Sequence, residues 1–247
     1  MQSQETRLLL SRMRFFNEYP QPSYIRFLLS TCAFYPGFDA SARSPIRSAF
    51  EIKPLTALST SGDNLGTVLH EILTRSNHRD AADELRHFMG LAYGTFEDIF
   101  AETTYGTPPK VVVRVREKGM TRPMELWDLS DGMLRFLCLA VALLNPVPPS
   151  AVFIDEPEAG LHPRLLPIVG DMIKTAAEER QVVVTTHSPD LLNCFGLEHV
   201  AVMKREGNKA LWYRPGSRET LRQMLESVTG ETLGDLQRSG ELEAMAQ

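Results

Sequence analysis

The stretch of sequence that decides the fold is residues 150–189, SAVFIDEPEAGLHPRLLPIVGDMIKTAAEERQVVVTTHSP. It contains two short apolar runs, 151–154 and 182–184, which hold β-branched residues and no polar ones. Runs of this kind are typical of buried parallel strands, and the segment between them is long enough for a crossover helix. The sequence therefore predicts a βαβ unit and an α/β fold.

Three polar residues that can carry out chemistry follow the two predicted strands. Asp155 and Glu156 come directly after the first run, and His187 follows the second run after two threonines. In a parallel sheet such residues gather beyond the carboxyl ends of the strands. Asp155 can hold Mg²⁺, Glu156 can orient or deprotonate a water that attacks phosphorus, and His187 can hydrogen-bond a terminal phosphate. Taken alone, such an acid pair is more often a pair of surface acids and such a histidine is more often structural, but their agreement at one edge favours a functional site.

A second candidate site precedes the apolar segment 133–144, which is interrupted only by Arg135 and predicts a buried helix. The residues in front of it are Ser130, Asp131 and Gly132. Serine and aspartate are favoured helix N-caps. A helix N-terminus with a hydroxyl and a glycine is also a potential anion site. The two interpretations are compatible.

The rest of the chain contains few polar motifs. Proline interrupts the first sixty residues repeatedly, and periodic patterns predict further helices and hairpins. The predicted helices are 24–30, one that starts at Leu65 behind Asp63 or Asn64, and 80–91; the predicted hairpins pair 111–116 with 123–128 and 199–204 with 210–213. The expected division is an irregular segment over 1–60, a helical accessory region over 61–109, a C-terminal lobe over 110–240 and a tail over 241–247.

Composition excludes several classes of protein. Hydrophobic residues make up 43% of the 247 and charged residues 23%, so gross disorder is not expected. The net charge of -5 gives no electrostatic indication of nucleic acid, and the basic residues of 1–54, Arg47 among them, are expected to be solvated surface. Three widely spaced cysteines predict no disulfide framework. With no secretory signal and no apolar segment of membrane-spanning length, we expect a cytoplasmic protein.

Together these motifs resemble the ATP-binding-cassette (ABC) class of P-loop ATPases, in particular the RecF-like, SMC-like and overcoming-lysogenization-defect-like branch of AAA-type ATPases. The stretch LSDG at 129–132 resembles the signature motif, and VFIDE at 152–156 resembles the Walker B strand. Residues 157–163 resemble the D-loop region, and TTHSP at 185–189 resembles the switch-histidine strand. The resemblance implies a P-loop NTPase-like, mainly parallel sheet with flanking helices and a small helical accessory subdomain.

The resemblance also implies roles for the candidate residues with ATP and Mg²⁺. Asp155 would bind the metal, Glu156 would act as general base or orient the water, and His187 would sense the γ-phosphate. The signature residues Ser130, Asp131 and Gly132 would meet the nucleotide held by a second subunit, either another copy or a homologous ATPase, in a head-to-tail dimer. By family analogy, DNA or a nuclease is a further expected partner.

One expected motif is missing from the printed sequence. A P-loop needs G-x-x-x-x-G-K-[ST], and the nearest string, GFDASARS at 37–44, lacks the second glycine and the lysine. Three explanations stay open: a truncated chain, one half of a split ATPase, or a degenerate subunit that interacts without catalysis. Since phosphoryl transfer depends on positioning and electrostatics, we expect little ATP turnover from this chain alone. A metal-dependent nuclease built on Asp155 and Glu156 is a weaker hypothesis, because no further acids join them.

Overall fold

The computed structural model describes residues 20–51, 57–104, 109–214 and 232–244. Its helices are α1 (Pro20–Ser30), α2 (Leu65–Thr74), α3 (Arg79–Ala92), α4 (Asp131–Leu144), α5 (Leu166–Ala177), α6 (Pro189–Leu192), α7 (Leu233–Ser239) and α8 (Glu241–Ala244). Its strands are β1 (Ala33–Tyr35), β2 (Phe50–Glu51), β3 (Phe96–Thr104), β4 (Lys110–Glu117), β5 (Met124–Glu125), β6 (Ala151–Asp155), β7 (Gln181–Thr185), β8 (Val202–Glu206) and β9 (Lys209–Tyr213).

The predicted βαβ unit is present. Strands β6 and β7 pair in parallel, with Val152 opposite Val182 and Ile154 opposite Val184, and α5 lies between them in the chain. The sheet has a third parallel strand, β1, which pairs with β6 so that Tyr35 lies opposite Ile154. The sequence pattern did not predict β1, because three residues between a helix and a proline show no strand periodicity. Pairing with β6 creates this strand.

A second sheet is antiparallel, with the order β2-β4-β3 and β5 on β4. The predicted hairpin of β4 and β5 is confirmed. The longer partner of β4 is β3, which lies in the region predicted to be helical. Phe96 and Ile99 of β3 are buried, whereas its last three residues are exposed. The polar and exposed half of β3 masks the strand pattern in the sequence.

The predicted helices α2, α3 and α4 pack into one core with both sheets. Eleven residues of α4, from Met133 to Leu144, are buried, as the apolar segment predicted. The predicted side-chain cap on α2 is absent, because Asn64 instead accepts a hydrogen bond from the Ser59 amide at 2.8 Å. The division of the chain into an accessory region and a C-terminal lobe stays a prediction.

A smaller apolar cluster joins α6, α7, α8 and the predicted last hairpin, β8–β9. It contains Leu192, Val200, Val202, Leu233, Leu236 and Leu242. The side chain of Asn193 supports it by accepting a hydrogen bond from the Gly234 amide at 2.7 Å. Within the described ranges, no helix combines the length and apolar character that crossing a bilayer requires.

Candidate functional site

The two acids lie where the sequence placed them, at the carboxyl end of β6. Asp155 is the last residue of the strand, is exposed and lies opposite Thr185 of β7. The Thr185 hydroxyl donates a hydrogen bond to Asp155 Oδ1. The amide of Glu156 donates to the Thr185 carbonyl at 3.0 Å, so the pairing of the two strands extends one residue beyond β6. Thr185 therefore fixes both acids at one edge of the sheet.

Glu156 has a strained backbone. Its φ of 45° is in the left-handed region, and it is the only such non-glycine residue in the described part of the chain. A conformation of this kind costs about 1–3 kcal/mol and is common at functional sites. Pro157, the next residue, is buried, whereas Glu156 is exposed. The strained turn thus leaves an acid at the sheet edge open to solvent.

The backbone of His187 is held at the same edge by the carboxylate of Glu158. The His187 amide donates to Glu158 Oε1 at 3.1 Å, and the Thr186 hydroxyl donates to the same oxygen at 2.6 Å. The next residue, Ser188, caps α6, since its Oγ accepts a hydrogen bond from the Leu191 amide at 3.3 Å. The side chain of His187 is exposed. The structure therefore brings the histidine turn and the loop after Asp155 together.

The predicted second site is the N-terminus of α4. Ser130 is its N-cap, and the Ser130 Oγ accepts a hydrogen bond from the Met133 amide at 3.2 Å. Asp131 is 62% exposed and pairs with Arg47. A Cβ at Gly132 would lie 3.5 Å from the Gly160 carbonyl, so this helix end lies against the loop that follows the acids.

A pocket of about 200 Å³ adjoins the acid pair. Its lining residues are Tyr35, Gly37, Phe38, Arg135, Leu139, Ile154, Asp155, Glu156, Pro157 and Ala159. Ser130, Asp131 and Gly132 are not among these residues, so this pocket does not include the second candidate site. Arg135 places a cation at the pocket and donates from Nε to the Phe38 carbonyl at 3.3 Å. Arg135 is the lone charge within the apolar segment 133–144, and this is the sequence signal that marks it.

Arg47 was missed, and the expectation that it is solvated surface is wrong. Its side chain is 9% exposed. The guanidinium donates to the carbonyls of Ala40 and Leu129, each at 2.7 Å, and to Asp131 Oδ1 at 2.6 Å. Arg47 therefore ties the segment before β2 to the start of α4. The sequence held no signal for this role, since the partners are mostly backbone carbonyls.

The donors at the sheet edge fit a magnesium–nucleotide complex. Among the described residues, no group of three or more histidine, cysteine, aspartate or glutamate side chains could hold a metal ion by itself. Mg²⁺ bound with a nucleotide needs only one or two protein carboxylates, since phosphates and waters supply its other ligands. The exposed Asp155 carboxylate and the neighbouring Thr185 hydroxyl match that small set of donors.

The chain is similar to known proteins in both sequence and structure. The chain is 32% identical over 90 residues to ABC transporter A family member 9 of Arabidopsis thaliana, covering 34% of this chain and 9% of the relative. It is 29% identical over 129 residues to ABC transporter G family member 41 of the same plant, covering 46% of this chain and 9% of the relative. The chain thus spans about a tenth of the length of these relatives.

Among solved structures, the chain is similar to the Smc head domain with a coiled coil and joint from Pyrococcus yayanosii. The TM-score is 0.44 at 15% identity, and the similarity covers 59% of this chain and 28% of that chain. A family model described as "AAA domain, putative AbiEii toxin, Type IV TA system" matches residues 12–193. Because that match covers about three quarters of the chain, the chain belongs to this AAA-domain family of ABC-class P-loop ATPases.

Proposed function

We propose that this chain is the acid-bearing and signature-bearing lobe of an ATPase that hydrolyses Mg-ATP. Asp155 holds the metal, Glu156 orients or deprotonates the attacking water, and His187 hydrogen-bonds the γ-phosphate. The observation that carries the proposal is the shared end of β6 and β7. There Thr185 contacts the Asp155 carboxylate and the Glu156 amide, and Glu158 contacts the histidine turn.

The chemistry expected at this edge is phosphoryl transfer to water. When bound, Mg²⁺ supplies positive charge that neutralises the phosphate oxygens. The exposed carboxylate of Glu156 accepts or orients a proton of the water, a role that typically contributes a factor of about 10²–10⁴ to the rate. The imidazole of His187 provides a donor for a phosphate oxygen.

The signature residues act, in this proposal, on the nucleotide of a second subunit. Ser130 and Asp131 are exposed at the start of α4, where the backbone amides of a first helical turn favour an anion. Gly132 is partly exposed and has no side chain that would separate a ligand from its backbone. The second subunit is another copy of this chain or a homologous ATPase, and the dimer is head to tail, so that each site takes acids from one subunit and a signature from the other.

The parallel sheet supports the need for a further lobe that carries the phosphate cradle, by which we mean the G-x-x-x-x-G-K-[ST] loop that binds the nucleotide phosphates. Phe34 is 55% exposed although it lies within the sheet, and its ring stacks on Phe153 at 4.5 Å. Val183, opposite Phe153, is half-buried, and β7 pairs only with β6 among the described strands. Parallel sheets are normally covered on both faces. An additional parallel strand beside β7 would end next to Thr185, and a helix would cover this face, whether they belong to a longer chain or to a separate polypeptide.

The alternative is a non-catalytic interaction subunit that retains the ATPase fold, for example in a DNA-repair or phage-defence complex. It is favoured by the missing G-x-x-x-x-G-K-[ST] motif in the printed sequence. DNA or a nuclease is a candidate partner by family analogy alone. Dimerisation that depends on nucleotide separates the two functions. Its absence even when a phosphate-cradle lobe is supplied would favour the interaction subunit.

The catalytic role of Glu156 is tested by turnover. The chain is joined to a lobe that carries G-x-x-x-x-G-K-[ST], as an upstream extension or as a co-expressed polypeptide, and ATP hydrolysis is measured. Glu156→Gln should lower kcat by about 10²-fold or more while Mg-ATP still binds. Glu178→Gln, which changes an exposed acid at the end of α5, is the control and should leave turnover unchanged. Equal turnover in wild type and Glu156→Gln would show that Glu156 does not orient or deprotonate the attacking water.

The shared site is tested by mixing two inactive variants. In a head-to-tail dimer of Ser130→Arg with Glu156→Gln, one site combines both defects and the other has neither. Mixing should therefore restore about a quarter of wild-type turnover, since half of the dimers are mixed and each has one intact site. If the signature instead serves the nucleotide of its own subunit, every site keeps a defect and mixing restores nothing.

A further inference from the structure

Glu158 joins the two loops that leave the paired strands. It lies three residues after Asp155, and its Oε1 accepts hydrogen bonds from the Thr186 hydroxyl at 2.6 Å and from the His187 amide at 3.1 Å. Thr186 and His187 are the first two residues after β7. One carboxylate oxygen on the β6 side therefore holds the turn that carries the imidazole.

The turn around His187 is held from both sides. The Ser188 amide donates to the Thr186 hydroxyl at 2.9 Å, and that hydroxyl donates onward to Glu158. The Ser188 side chain in turn caps α6. The backbone of His187 thus lies between a carboxylate and a capped helix. Hydrogen bonds to an ionised acceptor are stronger than neutral ones, so Glu158 is the stronger of the two restraints.

The other oxygen of Glu158 shows that this acid is not simply a solvated surface group. Oε2 is buried and makes no hydrogen bond to the described residues. Leaving a carboxylate oxygen out of water has a free-energy cost that an exposed glutamate avoids. The contacts of Oε1 with Thr186 and His187 are the gain that offsets this cost. The position is therefore specialised for holding the turn.

We propose that Glu158 is a positioning residue that holds the His187 backbone so that the imidazole faces the γ-phosphate. This inference rests on the proposed role of His187. Glu158 does not touch the nucleotide in this proposal and acts only through the turn. The link also couples the loop after Asp155 to the histidine, so that a shift of one loop moves the other.

The contact itself is tested on the full chain without nucleotide, by amide hydrogen exchange followed by NMR. Glu158→Ala should raise the exchange rate of the His187 amide by about tenfold, the equivalent of one charge-assisted hydrogen bond, relative to the amides of β7. Glu158→Gln keeps an acceptor oxygen and should fall between wild type and Glu158→Ala. Glu178→Ala is the control and should leave the His187 amide unchanged. Equal acceleration of the His187 and β7 amides in Glu158→Ala would mean general destabilisation and would overturn the proposal.

The functional link is tested by a double-mutant cycle in the assembly that includes the phosphate-cradle lobe. Glu158→Ala and His187→Ala should each lower kcat by about tenfold or more, with KM for ATP changed by less than about threefold. The double variant should be no slower than His187→Ala, because Glu158 acts only through the histidine. Additive losses would overturn the positioning role. If His187→Ala alone leaves kcat unchanged, the proposed function of His187 fails, whereas the exchange experiment still decides whether Glu158 holds the turn.

Discussion

The guanidinium of Arg47 meets the carboxylate of Asp131 at 2.6 Å, at the residue where α4 begins. Asp131 is largely exposed, but Arg47 is almost completely buried. The remaining donors of Arg47 point at backbone carbonyls on both sides, including those of Ala40 and Leu129. The ion pair is thus the outer end of a network that fixes the candidate signature residues.

Removing Arg47 should therefore cost far more stability than removing its charged partner. Arg47→Ala leaves several buried carbonyls without donors, and we expect the free energy of unfolding to fall by about 3 kcal/mol or more. Asp131→Asn changes only the exposed end of the network and should cost less than about 1 kcal/mol. Urea denaturation of both variants measures the difference. Equal losses would show that the ion pair, and not the backbone contacts, carries the stabilisation.

The sequence predicted the βαβ unit and the acid edge because both signals are local. Two uninterrupted apolar strands are each followed directly by polar residues, and parallel pairing alone then brings Asp155 and His187 to one edge. The cap at Ser130 could be predicted equally well, because it depends on a residue only three positions away in the chain. Strands and helix caps that depend on residues close in the sequence can therefore be predicted from the sequence.

The parts that could not be predicted depend on distant partners. Arg47 contacts the carbonyl of Leu126 and the carboxylate of Asp131, which are 79 and 84 residues away. Strand β1 exists because of its pairing with β6, and β3 because of its pairing with β4. No local pattern encodes these contacts, so they become visible only in the folded structure.

The approach of Arg135 to Gly160 gives a second prediction. Gly160 has φ 73°, and a Cβ there would lie 1.5 Å from Arg135 Nη1. Gly160→Ala should force the guanidinium away from the Phe38 carbonyl, so that combining it with Arg135→Ala costs about 1 kcal/mol less than the sum of the single changes.

The matched control for this pair is Gly119, which has φ 83° but no atom within 4 Å of its Cβ position. Gly119→Ala carries a similar backbone strain of about 1–2 kcal/mol and should be additive with Arg135→Ala in urea denaturation. The contact would be refuted if Gly160→Ala were also additive with Arg135→Ala.

Two glycines within helices should respond to alanine with opposite signs. At Gly90 of α3 the nearest atom to a new Cβ is 3.9 Å away, so Gly90→Ala should stabilise the protein by about 1 kcal/mol through helix propensity. At Gly66 of α2 the new Cβ would lie 1.9 Å from the ring of Phe50, which is buried. Gly66→Ala should therefore lower the melting temperature, since overpacking costs about 1–3 kcal/mol. A higher melting temperature for both variants would contradict the packing of α2 on Phe50.

Tyr35, which lines the pocket beside the acids, should make the free energy of unfolding fall as the pH rises above 10. Burial raises the pKa of Tyr35 to about 12, and its hydroxyl donates to the Leu58 carbonyl at 2.9 Å. In the unfolded chain the phenol loses its proton near pH 10, so above that pH the folded state binds more protons than the unfolded state. The stabilisation is complete below pH 10 and is lost as the pH rises toward 12, by up to about 3 kcal/mol.

Tyr35→Phe should lower stability by about 1 kcal/mol at pH 7 and make the decline between pH 10 and 12 shallower in urea denaturation. If stability declines equally steeply between pH 10 and 12 in Tyr35→Phe and in wild type, Tyr35 is not the cause of the decline.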